Sequence, residues 1–303
     1  MFGFSLVSLY SYYLRRIFRS SGLYPQTIQI DPQTTIHCWL PTKSGFPSKP
    51  PLVLIHGFGP SAIWQWRSQV QSLSRHFSLY VPDLVFFGGS STSSPERSEV
   101  FQAASVAKML EKLGVEQFSV VGTSYGGFVA YNLGRICGEK VEKVVIASSG
   151  VSRRRRDNVE LLEKAGAEKI SDLMLPSTAK DLRTLLRLSV NRRLHIPDCL
   201  LNDVIHTLYK ENREEKMQLL TGLTIGKEDD VQISPLQQEV LIIWGEFDQI
   251  FPLEKAFELR KYMGEKVRME VINKASHVPQ IENPKRFNEI VKSFLLAFPN
   301  SST

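Results

Sequence analysis

Short apolar segments alternate with longer, helix-like segments along most of the chain. Six of the short segments are mostly β-branched or aromatic, which is typical of strands buried on both faces of a parallel sheet. They lie at Leu52–Ile55, Leu79–Val81, Phe118–Val121, Val144–Ala147, Val240–Trp244 and Val267–Ile272. Between them, Val100–Leu113 and Leu253–Met263 repeat apolar residues at the three- and four-residue spacing of a helix. The alternation predicts an α/β fold with a mostly parallel central sheet and helices on both faces.

The strand series is interrupted between residues 152 and 235, where helical patterns occur without a convincing strand. Asp181–Val190 and Leu200–Tyr209 show the helix spacing most clearly. Because the strand series resumes afterwards, we interpret residues 152–235 as a helical cap inserted into one core, formed by residues 25–151 and 236–303. An independent second domain is the alternative.

Residues 1–24 form a separate N-terminal segment whose first part is apolar. Met1–Leu14 is rich in Phe, Leu, Val and Tyr, and three arginines follow between residues 15 and 19. The segment is too short for a membrane span, which needs about 20 apolar residues, and a secretory signal would carry its positive charge before the apolar part. Two interpretations stay open: residues 1–20 lie on a membrane surface as an amphipathic helix, or they pack on the domain itself. We expect an intracellular protein, cytoplasmic or peripheral on a membrane, and not a secreted one.

Charge and cysteine content disfavour several other classes. The net charge is +6, but the only dense basic run is Arg153–Arg156 and no nucleic-acid recognition motif accompanies it. We therefore expect no nucleic-acid partner. The three cysteines, Cys38, Cys137 and Cys199, are far apart and include no C-x-x-C pair, so neither a disulfide framework nor a zinc site is predicted.

The strongest chemical signal is the pentapeptide from Gly122 to Gly126, which has Ser124 at its centre. It follows an apolar strand and precedes the helical run Phe128–Leu133, which is the context of a nucleophile elbow. In such a tight strand-to-helix turn the serine has strained backbone angles, and the two glycines remove Cβ atoms that would clash. Ser124 is therefore the candidate nucleophile.

A serine hydroxyl needs a general base, and position selects one of the six histidines in the chain. His277 follows the last predicted strand, so it would lie on a loop at the same sheet edge as Ser124. A carboxylate must orient this imidazole and stabilise its charged form. Asp248 follows the preceding strand and gives the chain order serine, acid, histidine that accompanies a nucleophile elbow. Glu246, two residues earlier, is the alternative acid.

Acyl transfer also needs N–H donors for the oxyanion that forms during the reaction. The backbone N–H of Tyr125 is one candidate and that of Phe58, in the loop after an early strand, is the other, with Gly59 as the alternative to Phe58. His56, in the same loop, is predicted to shape the loop, and Asp83 is predicted to form a turn. This chemistry needs no cofactor and no metal.

Together these residues resemble the α/β-hydrolase superfamily, in its capped subgroup with a serine nucleophile, from about residue 30 to the C-terminus. The subgroup contains esterases, monoacylglycerol lipases and carbon–carbon-bond hydrolases. Epoxide hydrolases and haloalkane dehalogenases are similar but use aspartate where Ser124 stands, which disfavours those activities. The motifs that carry the resemblance are His56-Gly57, Pro82-Asp83-Leu84, the elbow, Trp244-Gly245-Glu246-Phe247-Asp248, and His277 with Pro279 and Glu282.

Two positions depart from the resemblance. The cap arginine with which carbon–carbon-bond hydrolases bind a substrate carboxylate falls near Val204 here, which weakens that assignment. Phe86 stands where many relatives carry glycine, and this residue is expected to reshape the nearby loop.

The leading hypothesis is a carboxylic-ester hydrolase that forms an acyl-Ser124 intermediate and uses His277 to activate water. Its substrate would be a small apolar ester or acyl compound, such as a lipid, that enters through an apolar cap. Three alternatives stay open: a carbon–carbon-bond hydrolase of the same fold, a small-ligand receptor with little or no turnover, and a membrane-associated interaction protein. The oligomeric state is left open.

Overall fold

The computed structural model describes residues 5–42, 49–231, 233–264 and 267–297. Nine strands of this described chain form one central sheet, and all six predicted strands are among them, at the predicted places or slightly longer. The strands are β1 (Leu23–Asp31), β2 (Thr34–Pro41), β3 (Pro51–Ile55), β4 (Ser78–Pro82), β5 (Ser91–Thr92), β6 (Phe118–Thr123), β7 (Val141–Ala147), β8 (Glu239–Gly245) and β9 (Val267–Ile272).

The sheet is mostly parallel, as the strand pattern predicts. Its order is β1-β2-β4-β3-β6-β7-β8-β9, with β5 paired to β2. The strands from β4 onward in this order are parallel to one another, whereas β2 pairs antiparallel with β1, β4 and β5. Because parallel strands end at the same edge of a sheet, the loops after β3, β6, β8 and β9 meet there.

Helices flank the sheet on both faces, and two of them coincide with the predicted segments to within one residue. The helices of the described chain are α1 (Leu6–Ser20), α2 (Ala62–Gln65), α3 (Arg67–Leu73), α4 (Glu99–Lys112), α5 (Tyr125–Cys137), α6 (Arg155–Ala165), α7 (Ile170–Met174), α8 (Ala179–Ser189), α9 (Asp198–Val204), α10 (Arg213–Gly222), α11 (Glu254–Met263), α12 (Pro279–Glu282) and α13 (Pro284–Leu296). A π-helical turn, Ile205–Tyr209, continues α9.

Successive residues of the parallel strands point to opposite faces of the sheet. Leu54 and Val121 belong to a buried cluster that includes residues of α1, α3 and α13. Val53 and Val120, their immediate neighbours, belong to a second cluster with residues of α4, α5 and α11. Since burial of each such side chain contributes roughly 1.5–3 kcal/mol, these two clusters hold the helical layers to the sheet.

The segment between β7 and β8 forms helices α6 to α10 and the π turn, and the part of it that the structure describes contains no strand. Leu182 and Leu185 of α8, and Leu201 of α9, join the same buried cluster as Tyr125, the first residue of α5. The helices therefore pack over the sheet edge at which the parallel strands end. The division into core and cap at residues 152 and 235 stays a prediction.

Phe86 connects this helical segment with the loop after β4. Its backbone φ is 73°, a left-handed conformation that glycine adopts more easily than phenylalanine. The Phe86 carbonyl accepts a hydrogen bond from Asn212 Nδ2 at 3.1 Å. Its ring lies 4.6 Å from the Arg97 guanidinium, and Arg97 Nε donates to Gln218 of α10 at 2.8 Å. The Phe86 backbone and ring thus connect the loop after β4 to the start of α10 and, through Arg97, to Gln218.

Helix α1 packs on the domain with one face and leaves the other face open to solvent. Leu14 and Phe18 are buried, and the Phe18 ring lies 5.1 Å from the ring of Trp39. No helix in the described ranges is long and apolar enough to cross a membrane. The first four residues of the predicted N-terminal segment, 1–4, lie outside the described residues. Four large side chains on α1 are about half exposed: Leu6, Leu9, Tyr12 and Tyr13.

The basic run Arg153–Arg156 does not form one free positive face. Arg153 lies over the Phe128 ring, 5.4 Å from its centre, and burial lowers the pKa of its guanidinium to about 10. Arg154 forms an ion pair with Glu258 at 2.8 Å. Arg155 forms an ion pair with Asp229 at 3.5 Å. Three of the four arginine side chains in the run are therefore engaged by other residues of the protein.

Candidate active site

Ser124 lies at the turn between β6 and α5, where the elbow motif predicts it. Its backbone angles are φ 52° and ψ −120°, and its N–H donates to the Ala147 carbonyl at 2.9 Å. A Cβ on Gly122 would lie 2.1 Å from the Gly126 carbonyl oxygen, and a Cβ on Gly126 would lie 2.4 Å from the Ile55 carbonyl oxygen. Both contacts are with backbone, so only glycine fits at these two positions.

The His277 imidazole reaches the Ser124 hydroxyl from the loop after β9. Its Nε2 lies 2.8 Å from Ser124 Oγ, and its Nδ1 lies 3.0 Å from Asp248 Oδ2. Because an ionised carboxylate only accepts hydrogen bonds, Nδ1 carries the proton and donates it to Asp248. Nε2 of the neutral ring is then free to accept from the Ser124 hydroxyl. The structure thus brings the three predicted residues into one chain of hydrogen bonds.

Asp248 is held by the loop that carries it. Its Oδ1 accepts from the N–H groups of Ile250 and Phe251, each at 2.9 Å, and its side chain is fully buried. These donors fix the plane of the carboxylate. The alternative acid, Glu246, accepts from the Lys274 N–H at 2.9 Å and forms no hydrogen bond to the imidazole in the described structure.

One candidate oxyanion donor belongs to the elbow and the other to the loop after β3. Phe58 follows β3 and Tyr125 begins α5, and their rings are 5.7 Å apart. A Cβ on Gly57 would lie 3.0 Å from Ser124 Cβ, so this loop presses directly against the nucleophile. Within the described part of the chain, neither the Phe58 N–H nor the Tyr125 N–H has an acceptor. Two such donors beside a serine hydroxyl suit an oxyanion.

Gln65, on the short helix α2, holds the loop that carries Phe58. Its Oε1 accepts from the Gly57 N–H at 2.8 Å. Its Nε2 donates to the carbonyls of Gly57 at 3.0 Å and Pro60 at 2.8 Å. Gln65 therefore ties both ends of the loop to one side chain. Sequence reasoning missed this residue, because a single glutamine in a short helix belongs to no motif.

His56 and Asp83 support this region from beneath. Burial lowers the pKa of His56, and its neutral ring accepts from the Leu84 N–H at 3.0 Å through Nε2 and donates to the Gly57 carbonyl at 2.8 Å through Nδ1. Asp83 Oδ1 accepts from the Ala62 N–H at 2.9 Å. Both side chains connect loops and form no hydrogen bond to the Ser124 hydroxyl in the described structure. These contacts agree with the predicted structural roles of His56 and Asp83.

The loop that carries His277 is tied to the helical segment above it. Glu282 Oε2 accepts from the Ser276 N–H at 2.6 Å, and Glu282 Oε1 accepts from the Asn191 N–H at 2.8 Å. Asn191 lies in the loop between α8 and α9. The Glu282 carboxylate therefore connects the loop that carries His277 to the loop between α8 and α9.

A cavity of about 370 Å³ lies over Ser124 and His277. Of the described residues that line it, none is Asp, Glu, Lys or Arg, and Val204 lies in its wall where the resemblance would expect an arginine. No group of three or more His, Cys, Asp or Glu side chains in the described ranges is arranged to hold a metal ion. The roof of the cavity is apolar and includes Leu182, Leu185, Leu186, Val204 and Leu208.

A mostly parallel sheet with a serine on a strand-to-helix turn, and a histidine and an aspartate on later loops, defines an α/β-hydrolase type of protein. The sequence model of the α/β-hydrolase fold family matches residues 50–284. The chain therefore belongs to the α/β-hydrolase family.

The relatives of the chain by sequence are hydrolases. It is 26% identical to 2-hydroxy-6-oxo-2,4-heptadienoate hydrolase of Pseudomonas putida, over 82% of this chain and 89% of that protein. It is 25% identical to the monoacylglycerol lipase ABHD6 of Mus musculus, over 84% of this chain and 77% of that protein. The structure of carboxylesterase CesB from Bacillus subtilis superposes with a TM-score of 0.70 at 19% identity, covering 96% of this chain and 99% of that one.

Proposed function

We propose that the protein is a serine hydrolase that cleaves carboxylic esters through an acyl-Ser124 intermediate. The observation that carries the proposal is the 2.8 Å contact between Ser124 Oγ and His277 Nε2. His277 takes the hydroxyl proton while Ser124 Oγ bonds to the ester carbonyl carbon, and Asp248 stabilises the imidazolium that forms. The carbon–oxygen bond to the alcohol then breaks, and His277 protonates the departing oxygen.

Water completes the reaction in the same site. His277 takes a proton from the water as its oxygen bonds to the acyl carbon, and it returns a proton to Ser124 as the acid leaves. In both halves the negative oxygen of the tetrahedral intermediate accepts from the N–H groups of Phe58 and Tyr125. Each such donor contributes about 3 kcal/mol to transition-state stability, and Gln65 supports this role by holding the Phe58 loop.

The cavity supports an apolar acyl group as the part of the substrate next to Ser124. An uncharged wall of leucine and valine side chains favours a hydrocarbon chain and penalises an unpaired charge. A monoacylglycerol lipase stands among the relatives, which agrees with an acyl ester as the substrate class.

A carbon–carbon-bond hydrolase is the second candidate, because a relative of that type matches most of the chain. Its substrate name denotes an acid that is ionised at neutral pH. The described wall of the cavity includes Val204 and no arginine, which argues for a neutral ester next to the serine. Turnover of a dienoate of this type at a higher kcat/KM than any ester would favour the second candidate.

The outer face of α1 supports a peripheral contact with a membrane surface. Leu9 and Tyr13 are about half exposed on this face, next to three arginines. We expect that replacing both with serine reduces co-flotation with vesicles, whereas serine at the exposed Val159 and Phe257 does not. Equal flotation of all three proteins would contradict this contact.

The test of the main proposal is a p-nitrophenyl ester panel of increasing acyl length, with fluorophosphonate labelling in parallel. The wild type should hydrolyse the panel and be labelled at Ser124, and Ser124→Ala should lose both properties. Turnover by Ser124→Ala at the wild-type rate would overturn the mechanism. Labelling without turnover of any ester would favour a ligand receptor of this fold.

A further inference from the structure

A second depression, of about 510 Å³, adjoins the active-site cavity on the outer side of α8. Four arginines contribute to its lining, and no Asp or Glu of the described chain does. A histidine completes the basic set. We call this depression the arginine basin, and its basic residues are Arg183, Arg187, Arg192, Arg193 and His195.

Most of the positive charge in the arginine basin is not neutralised by the protein. Arg183 forms an ion pair with Asp198. Arg187, Arg192 and Arg193 form no ion pair with any described residue. Three like charges around one depression repel each other, so an anion bound between them would relieve that repulsion. Guanidinium groups also match the geometry of phosphate and carboxylate oxygens.

The arginine basin and the active-site cavity share a wall that is entirely apolar. One residue of that wall, Leu194, is 48% exposed, so the two spaces meet at the surface there. Its chain neighbours Arg193 and His195 belong to the arginine basin. A molecule with one apolar end and one charged end could therefore occupy both spaces. The shared residues are Leu186, Val190, Leu194, Ile196 and Leu201.

We propose that the arginine basin binds an anionic group, phosphate or carboxylate, on the alcohol side of the ester whose acyl chain lies over Ser124. The inference rests on the proposed function and adds a substrate class to it. None of the described residues that line the cavity over Ser124 is Asp, Glu, Lys or Arg, so the charge of such a substrate has to lie outside it. The arginine basin lies beside the cavity and supplies that place. Its lining does not include Val204.

The experiment compares two esters with the same acyl chain, monodecanoylglycerol and its phosphate, both below their micelle-forming concentrations. The wild type should show a higher kcat/KM for the phosphate. The triple variant Arg187→Gln, Arg192→Gln, Arg193→Gln should lower the phosphate-to-neutral ratio about tenfold, mainly through KM. A matched variant with Gln at the exposed Arg75, Arg156 and Arg260 should keep the wild-type ratio.

Two further measurements keep the outcomes distinct. Fluorophosphonate labelling of the triple variant at the wild-type rate shows that it is folded. Binding of decyl phosphate and of decanol, followed by calorimetry, tests the basin without turnover, and only decyl phosphate should bind more weakly to the triple variant. If neither ester is hydrolysed, the proposed function fails, and the calorimetry still shows whether the arginine basin binds an anionic group.

Two results would overturn the inference. One is an unchanged phosphate-to-neutral ratio in the triple variant together with unchanged decyl phosphate binding. The other is a loss that appears only when the esters are presented in anionic vesicles and not as monomers. In that case the arginines contact lipid phosphates of a membrane surface and do not bind the substrate.

Discussion

The floor and the roof of the candidate site are built from different interactions. In the floor, formed by the loops after β3, β6, β8 and β9, each reactive group is fixed by hydrogen bonds, as when Asp248 accepts from two backbone N–H groups and from His277. In the roof, formed by α7 to α9 and the π turn, the side chains over Ser124 are mainly aliphatic and contact the cavity only by packing. The floor can therefore hold atoms at defined distances, whereas the roof sets a volume.

This difference assigns the two regions different tasks. In the proposed mechanism a proton passes between Ser124 and His277, and this step fails when a donor or acceptor moves by a fraction of a hydrogen-bond length, so we expect the rate to depend on the floor. The proposed hydrocarbon chain of the substrate would be bound through its buried area and volume, which tolerate small changes, so we expect selection among esters to depend on the roof. Substitutions in the two regions should consequently change different kinetic parameters.

The largest effect is expected in the floor, from Asp248→Asn. An asparagine side chain can hold the wrong imidazole tautomer and cannot stabilise imidazolium, so kcat on p-nitrophenyl esters should fall about 10,000-fold. Glu246→Gln, two residues earlier, is the matched control and should change kcat less than about threefold. A larger loss in the control than in Asp248→Asn would assign the acid to Glu246.

Gln65→Ala is expected to have the second largest effect. Without its three hydrogen bonds the Phe58 loop loses its fixed position, and kcat should fall by about 10- to 100-fold with little change in KM. Gln71→Ala, on the exposed side of α3, should behave like the wild type. Steady-state kinetics of both variants checks this, and a loss confined to KM would mean that Gln65 contacts substrate and does not position the loop.

The positions of the three candidate residues in the floor could be predicted from the sequence because strand ends carry local signals. Ser124 is marked by glycines that a tight turn requires, and Asp248 and His277 follow apolar strands whose parallel pairing brings their ends together. Gln65 acts on a loop through three hydrogen bonds that depend on the final backbone path. No local pattern encodes that path, so the residue could not be found from the sequence.

In the roof, the sequence predicts the helices but not how they pack. Helical spacing predicts Asp181–Val190 and Leu200–Tyr209, and helices lie at both places, but spacing does not say which face of each helix turns toward Ser124. The arginine basin forms because α8 and the loop after it bring Arg187 near Arg193 in space. The antiparallel hairpin of β1 and β2 is also not predicted, although it is local, since it lies outside the βαβ alternation on which the prediction depends.

A larger side chain in the roof should produce a smaller effect, which concerns the selectivity for acyl-chain length. Leu208 lines the cavity, and Leu208→Trp should shorten it and lower the ratio of kcat/KM for long over short p-nitrophenyl esters about tenfold. Met217→Trp is the control, because Met217 is 37% exposed on α10 and does not line the cavity. An equal ratio in wild type and Leu208→Trp would show that the acyl chain lies elsewhere.

The smallest effect is expected on stability, from protonation of His56 in the floor. His56 must stay neutral to accept from the Leu84 N–H, and burial lowers its pKa from the ordinary value of 6.5. The folded state then binds fewer protons than the unfolded state below about pH 6.5, so stability falls on acidification, by at most about 1.4 kcal/mol per pH unit from this group. Chemical denaturation at about pH 7.5 and pH 5.5 measures the fall.

The variant His56→Gln isolates this contribution from that of the other histidines. It should be less stable than the wild type at about pH 7.5, because the buried hydrogen bonds are altered, but it should lose less stability on acidification. His206→Gln, at an exposed position in the roof, should keep the wild-type pH dependence. If His56→Gln and the wild type lose the same stability between the two pH values, the neutral imidazole is not what ties the Gly57 loop to Leu84. The rigidity of the floor would then depend on Gln65 and Asp83 instead.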